Sequence, residues 1–302
     1  MSSLLVTGSI GVDTVHTPFG ISENCIGGSA VYFSMAASYF NPVRFLGVVG
    51  EDCPFDLKEV FEGKDVDFEG LEVRKGSKTF RWHGAYEGAM NEARTEEVDL
   101  NVLAEEPPAV PASYRDSEFV FLANTMPGLQ MQLLDQMESP KMVAADTMNL
   151  WIQTQRDDLT ELLKRIDMLV LNDGEAKLLT DQQNINIAAK DILGMGPKIV
   201  VIKRGEFGSI MLNSNGDSFI HPAFPTETVV DPTGCGDSFA GAMMGYLANA
   251  RRVDIVTLRD AIVYGTVAAS YTIGDFSIDG INSTDIESID DRREMLKRVT
   301  QF

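Results

Sequence analysis

Short runs of apolar residues, each closed by a polar residue or a glycine, recur along the chain and alternate with longer stretches of helical character. The first run, Ser3 to Gly8, continues into Gly8-Ser9-Ile10-Gly11-Val12-Asp13. Gly27-Gly28 then opens a helical stretch from Ser29 to about Tyr39. It is rich in small residues (Ala30, Ser34, Ala36, Ala37), as suits tight packing on a sheet, and Asn41-Pro42 stops it. Strands are predicted at Val43–Val49, Phe119–Ala123, Lys141–Ala145, Met168–Leu171 and Lys198–Ile202. Helices are predicted at Leu129–Met137, Thr154–Ile166, Glu175–Thr180, Ile187–Leu193, Thr233–Ala250 and Asp260–Tyr271. Ser209–Asn213 and Gly216–Ala223 read as a hairpin. Nearly continuous apolar strands alternating with helices predict an α/β fold: a mostly parallel sheet covered on both faces.

The stretch from about Lys78 to Val102 breaks this pattern. Phe80, Trp82, Gly84 and Tyr86 alternate at period two, which marks strands, and Met90 to Arg94 reads as the turn between them. We read this segment as a β insertion within one domain spanning 1–302.

Ligands of parallel sheets sit at the carboxyl ends of the strands. The polar residues placed there are Asp13, Asp146, Asn172 and Lys203, with Asp231 ahead of the long helix.

The chain has 302 residues, 25 Lys+Arg against 45 Asp+Glu, and a net charge of −20. That balance excludes a duplex nucleic-acid binder and disfavours an anionic membrane surface. Neither a bilayer-length apolar run nor a signal-peptide pattern is present. Three widely spaced cysteines (Cys25, Cys53, Cys235) and no CxxC point to a reducing cytoplasm rather than to disulfides or zinc. His16 and His221 read as ordinary surface or strand residues.

The strongest chemical signal is Asp231-Pro232-Thr233-Gly234-Cys235-Gly236-Asp237-Ser238-Phe239. Gly234, Cys235 and Gly236 can turn successive N–H groups to one side at a helix N-terminus, which makes an anion site. Asp237 in the same turn suits a base that takes a proton from a hydroxyl attacking a phosphoryl group. The plainer reading, an aspartate at a helix start, stands beside it. There is no GxxxxGK[ST] P-loop, and Phe239 breaks the GxGxxG dinucleotide pattern.

This nine-residue run resembles the signature of the ribokinase-like (PfkB) family of sugar and nucleoside kinases. The resemblance extends along the chain in the family's order. Gly27-Gly28 resembles the N-terminal signature, Asn172-Asp173-Gly174-Glu175 the N-x-x-E motif, and Lys203 to Gly208 the G-x-x-G segment.

It implies a three-layer α/β/α fold, with about 11–25 and 77–103 forming a small β lid. It also implies ATP and Mg2+. Asp237 would be the catalytic base, with Gly234, Cys235 and Gly236 stabilising charge on the γ-phosphoryl group through their N–H groups. Asp13 would grip substrate hydroxyls, Gly27 and Gly28 would let backbone approach the substrate, and Tyr32 and Trp82 would offer aromatic faces. Glu175 would orient Mg2+ through water, with Asn172 beside it and Asp146 behind. Lys203, Gly205 and Gly208 would lie on the nucleotide side, and Gly265 and Ala268 would flank the adenine. Asp231 and Thr233 match positions that help bind a monovalent cation such as K+ in many members.

Where ribokinase and adenosine kinase carry an asparagine after the glycine pair, this chain has Tyr32. Arg81, His83, Tyr86 and Arg94 are further candidates for closing over the substrate, and the lid is also a candidate homodimer surface. Cys235 is either a small buried thiol or, beside a helix N-terminus, a reactive one.

The acceptor implied is a small sugar, with a nucleoside as the alternative. A binding protein that kept the fold without turnover would have lost Asp237 or the glycines, and both are intact.

Overall fold

The computed structural model describes residues 3–301. In chain order its elements are β1 (Leu4–Thr7), β2 (Gly11–Thr17), β3 (Gly20–Gly27), α1 (Ser29–Ala37), β4 (Val43–Gly50), α2 (Leu57–Val60), β5 (Val66–Arg74), β6 (Phe80–Tyr86) and β7 (Ala93–Asp99). Then come β8 (Phe119–Leu122), α3 (Pro127–Leu134), β9 (Met142–Asp146), α4 (Asn149–Thr154), α5 (Arg156–Leu163), β10 (Met168–Asn172), α6 (Asp173–Thr180), α7 (Ile185–Met195) and β11 (Ile199–Lys203). The rest are β12 (Ser209–Asn213), β13 (Ser218–His221), α8 (Cys235–Ala250), α9 (Ile255–Thr272), α10 (Asp279–Asn282) and α11 (Ile286–Thr300).

Nine strands form one sheet in the order β13-β12-β11-β10-β9-β8-β1-β4-β5. The strands from β5 to β11 run parallel, and β12 and β13 add an antiparallel hairpin. Alternate residues feed opposite faces. Leu4, Val6, Phe119, Phe121, Met168, Val170 and Val201 join the core beneath α1, α8 and α9. Leu5, Val120, Leu122, Leu169, Leu171, Val200 and Ile202 join the core beneath α3, α5, α6 and α7. A strand buried on both faces must read as continuously apolar, and these strands do. The α1 helix is buried at all nine positions, because it lies between the sheet and α8.

The chain runs from β1 toward β4 and β5, then returns to the other side of β1 with β8. That reversal opens a crevice at the carboxyl ends of the strands. Above it stands a second sheet in the order β3-β2-β6-β7, built from the two segments expected to form the lid. Its outer edge, β7, is exposed along its whole length and carries Arg94, Glu96, Glu97 and Asp99, charges that discourage edge-to-edge pairing.

Four elements differ from expectation. The helix predicted over 154–166 is the shorter α5, and Gln155, whose backbone is not helical (φ −132°, ψ 36°), separates it from α4, which was not predicted. The helix predicted at 260–271 starts earlier, because Asp254 caps Val256 and Thr257. β5 and α11 have too few apolar positions to stand out, although Asp285 caps α11 through Ser288. In α11, Ile289 and Leu296, seven residues apart, face the core.

Phe33 of α1 stacks on Phe121 of β8 at 4.5 Å with both rings fully buried, locking helix to sheet beside the crevice. Phe33→Ala is expected to cost about 3–5 kcal/mol of unfolding free energy, read from the urea midpoint at unchanged slope.

Candidate active site

The α8 helix begins at the crevice, and its N-cap, Gly234, has φ +74° and ψ −3°. A Cβ there would run into the Tyr32 ring, so only glycine fits. Among the described residues the Gly234 and Gly236 amides have no protein acceptor, as expected for the first turn of a helix. The Cys235 amide is different. It donates to Pro232 O at 3.2 Å, so the anion nest consists of Gly234 and Gly236 rather than all three residues. The Cys235 thiol points to Ala269 O at 3.6 Å, and burial pushes its pKa up, which favours the small packed thiol over a reactive thiolate. Lys203, at the end of β11, lays its ammonium against the Cα of Gly236 and so adds a full charge to the nest.

Carboxyl groups surround this cationic corner. Asp146, at the end of β9, is 5% exposed, and its Oδ1 has no partner. Burial and the facing Asp237 push its pKa up, while Lys203 opposes the rise. Asp237 is raised by burial as well, against the pull of Lys203. Glu175 completes a capping box with Asn172: Asn172 N–H donates to Glu175 Oε2 at 2.8 Å, and Glu175 N–H donates to Asn172 Oδ1 at 2.7 Å. Glu175 is nonetheless raised to about 7, chiefly by burial, with Lys203 again opposing. Two buried carboxyls, Asp146 and Glu175, and the half-buried Asp237 against one lysine are a donor set that suits a hard divalent cation, and one Asp146 oxygen has no partner.

On the other side of the crevice, Asp13 projects from β2 and is 3% exposed. Its carboxyl lies over the Cα of Gly27 on the paired strand, where any side chain would displace it. Asp13 Oδ1 has no partner. Burial, then Asp231 and Asp237, raise its pKa to about 8. Trp82 stands opposite Asp13 in register on β6, and its Nε1 donates to Thr95 Oγ1 at 3.1 Å.

Tyr86, four residues further along β6, meets Thr233 Oγ1 at 3.3 Å, which ties the small sheet to the loop before α8. The β6–β7 turn reaches further, placing Asn91 against Gly205 and within 3.5 Å of Glu206. Asp231 holds the loop from below: Thr233 N–H donates to Oδ1 at 2.9 Å and Ser277 N–H to Oδ2 at 3.4 Å.

Asp13, Gly27, Trp82, Asn172, Glu175, Lys203, Gly234, Gly236 and Asp237 thus converge on the crevice. Other expected residues do not. Tyr32 is 1% exposed and acts as the wall behind Gly234, not as a ligand face. Gly265 and Ala268 are buried where α9 crosses α8, with Gly265 against the Phe239 carbonyl, so they space helices rather than flank a base. Gly28 (φ +101°) lies over the Ser9 carbonyl and shapes the turn into α1. Gly208 closes the β11–β12 loop, where its carbonyl accepts the Arg204 N–H at 2.7 Å.

Arg81 pairs with Asp52, and His83 and Arg94 project from the outer face of the small sheet. Asp146 was legible only as a strand-end carboxylate, since its closeness to Asp237 needs the fold.

A nest of free amides, a lysine and a paired carboxylate at a helix N-terminus, beneath a β lid, define a phosphotransferase. The profile of the pfkB family carbohydrate kinase matches residues 23–284, and the chain belongs to that family. It is 30% identical to a cytidine kinase of Thermococcus kodakarensis over 259 residues, 83% of this chain and 90% of that one. The fold matches a Burkholderia thailandensis nucleoside kinase in complex with inosine (TM-score 0.79, 18% identity, 97% of each chain). It also matches an Escherichia coli ribokinase II structure in complex with ATP and Mg2+ (TM-score 0.73, 17% identity, 98% of this chain and 100% of that one). Among the described residues no helix is long and apolar enough to cross a membrane.

An acid with an ordinary pKa of 3.8 and a folded pKa of about 8 takes up a proton on folding at any pH between the two. Asp13 therefore costs stability progressively as pH rises through that window, and the cost levels off above about 8. Asp13→Asn removes the titration. The melting-temperature difference in favour of the variant should widen up to about pH 8 and stay constant beyond, as read by calorimetry across the range. Gly27→Ala, which evicts the same carboxyl, is expected to raise the acceptor KM more than tenfold, or about 1.4 kcal/mol, with a smaller effect on ATP.

Proposed function

We propose that this chain transfers the γ-phosphoryl group of ATP to the hydroxymethyl group of a ribonucleoside, with a pyrimidine nucleoside such as cytidine as the preferred acceptor. The observation that carries the acceptor is the pairing of Asp13 with Trp82 across β2 and β6 on the crevice side of the lid. A buried carboxylate with a free oxygen accepts two hydrogen bonds from a vicinal diol, and the aromatic ring beside it offers a stacking face for a base. The extensive likeness to a cytidine kinase supports the same choice over a free sugar, which has no base to stack.

Asp237 takes the proton of the attacking hydroxyl, with Lys203 and Asp146 facing it and Lys203 favouring its charged form. The Gly234 and Gly236 amides and the Lys203 ammonium stabilise the charge on the transferring group without reorganising. Mg2+ would be held by Glu175 through water, with Asp146 beside it, and supplies charge neutralisation of the ATP phosphates when bound. Trp82 and Tyr86 bring the lid onto the substrate and exclude water, which limits hydrolysis of ATP.

ADP release from MgATP, measured across nucleosides, ribose and hexoses, tests both parts. The highest kcat/KM is expected with a pyrimidine nucleoside. Asp237→Asn should lower kcat by about 10²–10⁴-fold with little change in either KM. Faster turnover of ribose or a hexose than of any nucleoside would overturn the acceptor assignment and leave a sugar kinase. Undiminished turnover in Asp237→Asn would overturn the assignment of the base.

A further inference from the structure

The outer face of the lid carries a side-chain cluster that phosphoryl transfer does not use. The chain has three histidines, and two of them meet there: His16 of β2 and His83 of β6. Their Nε2 atoms are 3.4 Å apart, and His83 Nε2 is 3.1 Å from Glu96 Oε2 on β7. The three ligand atoms all lie within 4.8 Å of one another. Ligand atoms about 2.0–2.2 Å from a tetrahedral ion stand about 3.4 Å apart, so two of the three separations in the cluster already match a metal half-shell.

Strand alternation separates this cluster from the kinase site. Asp13 and Val15 face the crevice and the lid interior, and His16 faces away. Trp82 and Tyr86 face inward, and His83 faces away.

Glu96 reaches the histidines through a distortion of the sheet. The β6–β7 pairing passes from His83↔Glu97 directly to Gly84↔Thr95, which leaves Glu96 as the extra residue of a β-bulge. Bulges re-aim side chains, and this one turns Glu96 toward His83. Arg94 then binds the other oxygen, Glu96 Oε1, at 2.9 Å and leaves Oε2 for the cluster. That is the outer support that metal-bound carboxylates commonly have. Two close imidazoles and a carboxylate are borderline donors that select Zn2+ and its neighbours over Mg2+. The excess of acidic residues along β7 favours a cation there as well.

We propose that His16, His83 and Glu96 form a Zn2+ site on the lid, with water in the fourth position. The ion would staple β2, β6 and β7, the three strands that carry Asp13, Trp82 and the lid edge. The site is independent of the acceptor chemistry.

Co2+ serves as the visible probe for the full-length protein after chelator treatment. One equivalent is expected to give the intense visible absorption of a low-coordinate imidazole-bound ion, and Zn2+ should displace it. The metal-free melting temperature should rise on adding Zn2+. His16→Gln and His83→Gln should each weaken Co2+ binding by at least about tenfold, with metal-free melting temperatures matching the parent to show that the fold is kept. Asp237→Asn should retain the band, because the kinase carboxylates are not its ligands. Absence of the band, its persistence in both histidine variants, or its loss in Asp237→Asn would overturn the site.

Discussion

Negative charge that water cannot reach is the constraint on which the centre of this molecule depends. Asp13, Asp146, Glu175, Asp231 and Asp237 all approach the carboxyl edge of the sheet, and burial is the largest cause of the raised pKa of each. Lys203 is the cation set against Asp146, Glu175 and Asp237. Such an arrangement is costly for a protein that has only to fold. It becomes an asset when the missing positive charge arrives with a substrate, as it does when ATP comes with its metal.

Close contact between backbone and functional groups gives the charge cluster its geometry. Asp13 lies on the Cα of Gly27, and the Tyr32 ring lies on that of Gly234. The first contact fixes the Asp13 carboxyl against the strand that leads into α1. The second fixes the mouth of α8 against α1 itself, which is fully buried and pinned by the Phe33–Phe121 stack. The proposed acceptor and phosphate sites therefore lie on one packed run of elements, β3 through α1 to α8. The small sheet is tied to it by Tyr86 on Thr233 and by Ser277, whose Oγ donates to Ile26 O.

Much of this was legible in the sequence because strands buried on both faces must read as unbroken apolar runs, and residues at their ends have to be polar for a reason. Asp13, Asp146, Asn172 and Lys203 were found that way, and the Gly234–Asp237 run carried its own chemistry. Other features were not legible because their signal is pairwise. Nothing in the chain shows that Cys235 N–H is turned to Pro232, or that Tyr32 is a wall rather than a contact. Small residues at Gly265 and Ala268 suit a ligand pocket and a helix crossing equally well, and only the position of α8 decides between them. The His16–His83–Glu96 cluster needs both a strand register and a bulge, and local sequence predicts neither.

The central claim is that this crevice passes a phosphoryl group from ATP to a hydroxymethyl oxygen held between Asp13 and Asp237. Phosphorus NMR of the products formed from MgATP and cytidine tests it most directly, because the coupling of the new phosphomonoester identifies the carbon that bears it. The account predicts ADP and a monoester coupled to the two protons of the hydroxymethyl carbon. A monoester on a ring hydroxyl, or inorganic phosphate as the only new product, would contradict it.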